Sequence, residues 1–146
     1  MSMKRILRYV FLIIYSLSLT ACEEETPRTA VPLVPVEFTI NLTLQAYMPL
    51  LMVGGYVYIE HEGYKGIIIY KEGNDRYRAI ERTCTYQPRN PCEIVSVDDS
   101  GFFLIDSCCG STFDFQGNPT GDPAKQPLLM YNTYLDGHFL TITNTL

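Results

Sequence analysis

The chain has 146 residues, 47% of them hydrophobic and 18% charged, with a formal net charge of -5. That length and apolar content suit one domain with its own core, are too small for two full domains, and exclude a chain disordered throughout. Three of the basic residues, Lys4, Arg5 and Arg8, lie in the first eight positions; the remainder is acidic, which excludes a nucleic-acid partner, because phosphate contacts need clustered Lys or Arg.

Those three cations precede an apolar run from Tyr9 to Leu19. The run is short of the roughly 20 residues of a membrane span and has the length of the hydrophobic region of a secretory signal. It closes on Leu19-Thr20-Ala21-Cys22, which resembles the lipobox of bacterial lipoproteins. The resemblance implies that residues 1–21 are a signal peptide and that Cys22 is the lipidated first residue of the mature chain. Glu23-Glu24-Glu25 and a stretch with prolines at 27, 32 and 35 follow. Residues 22–36 have no period of 2 or 3.6 and read as a flexible tether. The acidic run after the cysteine is similar to the surface-export signal of Bacteroidetes lipoproteins, which implies a lipid-anchored place in the bacterial envelope, at the outer membrane or cell surface.

From residue 37 to 146 the punctuation is that of an all-β domain. Residues 37–44 alternate polar and apolar, which predicts a strand burying Phe38, Ile40, Leu42 and Leu44 on one face. β-Branched and aromatic runs at 56–60, 66–70, 77–81, 93–97 and 102–106 follow, divided by turn clusters at 72–75 and 98–101. Residues 113–115, 128–131 and 139–143 complete about nine strands by the same pattern, the Gly- and Pro-rich 116–123 reads as a loop, and no stretch carries a sustained helical stripe. Close, regular spacing predicts an antiparallel sandwich or small barrel. Gly54-Gly55 and Gly66 predict bulges or close backbone approach. Tyr56, Tyr58, Tyr64, Tyr70 and Tyr77 sit where cross-strand packing is the commoner use. His61 and His138 read as exposed turn residues.

Besides Cys22 there are four cysteines, Cys84, Cys92, Cys108 and Cys109, an even number in an exported chain, for which disulfides are the default. Their setting says more than their count. Cys108-Cys109-Gly110-Ser111-Thr112-Phe113-Asp114, with Gly117, Gly121-Asp122-Pro123-Ala124 and Pro127-Leu128 after it, is similar to the second cluster-binding box of Rieske iron-sulfur proteins. Arg82-Thr83-Cys84-Thr85-Tyr86 resembles the first box. The resemblance spans roughly residues 53–143. It implies a Rieske-like antiparallel β-sandwich of small stacked sheets, with two loops forming the former cluster site.

A Rieske centre takes two thiolates on one iron and two imidazoles on the other. Carried over position by position, the family's ligands fall on Cys84, Tyr86, Asp106 and Cys109, so one of four is kept. The resemblance therefore implies a ligand-degenerate site with no cofactor or metal expected; a 2Fe-2S cluster, or a metal held by Cys84 and Cys109, is the alternative. It also implies a disulfide between the loops, Cys92 with Cys108, and leaves Cys84 and Cys109 facing one another, where a second bridge would replace the cluster. The first reading of function is a membrane-anchored, disulfide-clamped structural or binding module whose loops meet a protein partner, not an enzyme. The second is a 2Fe-2S electron-transfer protein, and the third a thiol-redox protein using Cys84 and Cys109.

Overall fold

The computed structural model describes residues 30–144. The expected signal peptide, the expected lipidation site Cys22 and the acidic run lie outside the described residues. Ten strands form two antiparallel sheets among them: β1 (Glu37–Asn41), β2 (Tyr56–Ile59), β3 (Ile67–Gly73), β4 (Arg76–Glu81), β5 (Val95–Val97), β6 (Leu104–Asp106), β7 (Thr112–Phe113), β8 (Pro119–Gly121), β9 (Met130–Asp136) and β10 (Phe139–Thr143). The larger sheet has the order β1-β10-β9-β4-β3-β2 and the smaller β5-β6-β7-β8. The smaller sheet is thus one continuous insertion, residues 95–121, between β4 and β9 of the larger.

β3 explains the layering. Ile67, Ile68 and Ile69 are all fully buried, as a strand covered on both faces requires. Ile67 and Ile69 face a core with Leu50, Ala79, Leu140 and Ile142. Ile68 points the other way, with Ile80, into a second core made with Val95, Leu104 and Phe113 of the inserted unit and with Leu128 before β9. Alternation along one strand therefore joins the two halves of the domain.

Several expectations are corrected. The strand predicted over 37–44 stops at Asn41, whose side chain accepts from the Thr43 backbone N–H at 3.0 Å and the Thr43 hydroxyl at 2.8 Å. This local turn competes with the ladder, and Leu44 ends 53% exposed instead of buried. A short 3-10 helix, Gln45–Leu51, follows where no helical element was expected; its buried Leu50 plugs the first core. Its approach needs Gly55, where a Cβ would lie 1.8 Å from the Pro49 carbonyl oxygen. The loop expected at 116–123 contains β8. The described end of the expected tether is docked: Val36 is buried, and Asn144 holds it through Val36 N–H to Oδ1 at 3.0 Å and Nδ2 to the Val34 carbonyl at 2.6 Å.

Four of the five tyrosines pack in or against the sheets as expected, whereas Tyr64 lies in the β2–β3 turn and is 39% exposed. Tyr56 and Tyr58 meet edge-on at 5.6 Å, Tyr70 stacks on Phe115 at 3.9 Å, and Tyr77 is buried. Glu81, fully buried at the end of β4, was not anticipated. Its Oε1 accepts from Lys65 N–H (2.9 Å), Thr83 N–H (3.2 Å) and the Thr83 hydroxyl (2.6 Å). Its Oε2 accepts from Tyr64 N–H (2.8 Å) and the Tyr131 hydroxyl (2.6 Å). One carboxylate thus fixes the β2–β3 turn against β4 and β9. Gly63 in that turn has a φ of +76°, and a Cβ there would lie 2.5 Å from Oε2.

Candidate functional site

The site is built where β4 runs on into the inserted unit. Past Glu81, Thr83 bridges Ile94, Val95 N–H bonds the Arg82 carbonyl at 2.6 Å and Cys84 N–H the Glu93 carbonyl at 3.4 Å. This short antiparallel pairing sets Glu93 beside Cys84. Lys65, aimed by the turn that Glu81 holds, donates from Nζ to the carbonyls of Asn90 (2.5 Å) and Glu93 (3.0 Å) and so ties down the first loop.

The second loop leaves β6 at Asp106. Its Oδ1 accepts from Cys108 N–H at 2.8 Å, its carbonyl accepts from Gly110 N–H at 2.8 Å, and its own N–H bonds the Ser111 carbonyl at 2.9 Å. An Asx turn of this kind closes the loop locally, with Gly110 at a φ of +83°. Cys92 and Cys108 are disulfide-bonded with a Cα–Cα distance of 5.8 Å, so the expected bridge joins the two loops.

Between the loops, four side chains converge. The Sγ atoms of Cys84 and Cys109 and one carboxylate oxygen each of Glu93 and Asp106 all lie within 4.8 Å of one another. Cys84 and Asp106 are fully buried and Glu93 is 2% exposed; Cys109 is half-buried. Ser111, also buried, has its hydroxyl 3.1 Å from Cys109 Sγ and accepts from Ala124 N–H at 2.9 Å. Two buried oxygens, Glu93 Oε2 and Asp106 Oδ2, have no hydrogen-bond partner among the described residues. Burial dominates the acid–base behaviour. It pushes the Cys84 and Cys109 thiols and the Glu93 carboxyl upward, with Asp106 beside Cys84 and Glu93 adding to the effect. It lowers Lys65, against the pull of Glu93, Asp106, Cys84 and Glu81.

Of the four positions carried over from the family, the structure brings together Cys84, Asp106 and Cys109. Tyr86 is 39% exposed and follows Thr85, whose hydroxyl is held by the Gln126 carbonyl at 2.7 Å. Glu93, which matches none of the four positions, joins the other three. The bridge expected between Cys84 and Cys109 is not formed: both are free thiols, with Sγ atoms 3.7 Å apart, against about 2.05 Å for a bond. His61 and His138 are exposed in the β2–β3 and β9–β10 turns, as expected. Sequence reasoning missed Glu93 and Lys65. The signal for Glu93 was an acidic residue wedged between a cysteine and the β-branched pair Ile94-Val95.

A solved complex of reduced oxygenase and oxidised ferredoxin in carbazole 1,9a-dioxygenase contains a chain that this one matches with a TM-score of 0.51 at 18% identity, over 74% of this chain and 93% of that one. The fold is Rieske-like. The ferredoxin of carbazole 1,9a-dioxygenase from Nocardioides aromaticivorans is also similar (TM-score 0.49, 18% identity, 75% of this chain and 97% of that one). So is the plasma membrane Rieske protein of the cyanobacterium Synechocystis (TM-score 0.46, 23% identity, 53% and 75%). No protein-family model and no curated protein matches the chain. With the Rieske-like frame in place, the four convergent donors occupy the end of the domain formed by the two disulfide-linked loops.

Proposed function

We propose that this chain is a lipid-anchored module of the bacterial envelope, attached through Cys22, whose Rieske-like domain holds no 2Fe-2S cluster and serves as a disulfide-clamped binding or structural unit. The donor set between the loops carries this reading. A 2Fe-2S centre places two irons and their bridging sulfides between two ligand pairs, and it is held by thiolate or imidazole. Here two sulfurs and two carboxylates converge within 4.8 Å, too compact for a binuclear core and half hard oxygen, so the residues do not fit that group. Both histidines lie in exposed turns elsewhere.

A thiol-redox function has less support. Reactive cysteines sit in electropositive, accessible surroundings, whereas Cys84 is fully buried and has two carboxyl groups within 4.8 Å. What the loop end offers a partner is its rim: the disulfide, Tyr86 and Arg89 are exposed there, and Tyr and Arg are side chains that protein interfaces favour. The test is iron and acid-labile sulfide analysis of the full chain purified without oxygen, with its visible spectrum. The expected result is a colourless protein without stoichiometric iron and sulfide; a brown protein with two of each per chain would refute the reading and restore electron transfer.

A further inference from the structure

We infer that Cys84, Glu93, Asp106 and Cys109 form a closed site for a single tetrahedral divalent ion of the zinc class. The inference rests on the absence of a 2Fe-2S cluster proposed above and goes beyond it by naming what the converging donors take. Two thiolates at about 2.3 Å from one tetrahedral ion lie about 3.8 Å apart, and the two Sγ atoms here are 3.7 Å apart. Simple sulfur contact gives a similar distance, so the carboxylates decide. Glu93 Oε2 and Asp106 Oδ2 are buried without a partner, on residues 2% and 0% exposed. Buried polar atoms are rarely left so, because each forfeits its hydration without return. Both belong to side chains whose ligand atoms lie within 4.8 Å of both sulfurs.

The remaining chemistry agrees. Asp106 spends Oδ1 on the turn of its own loop, which fixes the carboxylate while Oδ2 stays available. Four deprotonated ligands around a divalent ion leave two negative charges, and the Lys65 ammonium, bonded to the Glu93 carbonyl at 3.0 Å, offsets one. Thiolates select against magnesium and calcium, and four protein ligands leave no open coordination position, the mark of a structural site. Binding releases the ligands' protons to solvent, so affinity rises with pH. The ion would lock the two loops together from inside while Cys92–Cys108 locks them from outside.

Cobalt(II) is the probe. The full chain, freed of metal by chelation and kept without oxygen so that Cys84 and Cys109 remain thiols, is titrated with Co2+ and read by absorbance. The expected result is one Co2+ per chain, with a near-ultraviolet thiolate-to-cobalt band and intense tetrahedral visible bands, displaced by Zn2+ and indifferent to excess Mg2+ or Ca2+. Cys84→Ser should weaken the thiolate band, and Glu93→Gln should keep it while lowering affinity at least about tenfold, on the scale set by changes to groups that merely support ligands. Asp106→Asn risks the loop turn, so Glu93→Gln with an unchanged circular dichroism spectrum is the decisive variant. No binding, a weak octahedral spectrum, or unchanged affinity in Glu93→Gln would overturn the site and leave the proposed function standing. Two irons and two sulfides per purified chain would overturn both.

Discussion

Replacing Glu81 with Gln tests the polar centre on which the placement of the site depends. The carboxylate accepts five hydrogen bonds, three at Oε1 and two at Oε2, and is fully buried. With the amide oxygen in the place of Oε1, three bonds survive but lose their charged acceptor, a drop of roughly 1 kcal/mol each from the difference between charged and neutral hydrogen bonds. At Oε2 the amide nitrogen faces two donors. The Tyr131 hydroxyl can turn and accept, but the Tyr64 N–H cannot and is stranded, at about 1–3 kcal/mol if water does not reach it. Removing a buried charge recovers part of its desolvation penalty. The net expectation is a loss of about 2–4 kcal/mol, read from urea unfolding at pH 7 with the slope against denaturant unchanged. A change below about 0.5 kcal/mol, the ordinary scatter of surface substitutions, would refute the claim that this carboxylate organises the β2–β3 turn.

Opening the disulfide with Cys92→Ser releases a loop of sequence separation 16 and should lower stability by about 3 kcal/mol from chain entropy; an unchanged thermal midpoint would argue against the bridge as a clamp. Leu50→Ala removes a fully buried side chain from the first core and should cost about 2–5 kcal/mol in denaturant unfolding, whereas Leu44→Ala, on the exposed side of the same segment, should change little. Hydrogen bonds from Arg78 hold the Glu72 carboxyl below its ordinary 4.5. A lowered folded-state value stabilises above the unfolded value and is lost as pH falls through the folded one. Glu72→Gln should therefore weaken the domain slightly at pH 7, by about 1 kcal/mol for a pair that solvent still partly screens, and the difference should vanish in acid; a pH-independent difference would count against the ion pair. Cys22→Ala should move the chain from the membrane fraction to the soluble one, and retention in membranes would remove lipidation as the anchor.

Much of the fold was legible because it depends on local alternation. The strand patterns at 56–60, 77–81 and 139–143 and the turn residues at 72–75 and 98–101 each report a neighbourhood of a few side chains, and the structure places β2, β4, β10 and the two turns there. The short Rieske-like boxes likewise carried the Cys92–Cys108 bridge. Leu44 was misplaced because alternation cannot see the Asn41 side chain bonding Thr43 and ending the strand. The helix at Gln45–Leu51 has too few turns to show a period.

What the sequence determined alone was the supply of chemistry: acidic balance, four cysteines after the first, two histidines in turn-like settings, and the order of β elements. What only the tertiary structure decided was which groups meet. Tyr86 stands two residues from Cys84 yet lies at the surface, while Glu93, nine positions away, lies beside it because Thr83 and Ile94 pair. Neighbours along the chain are set by covalent order, but neighbours in a loop-built site are set by backbone pairing between distant segments, which no local pattern encodes.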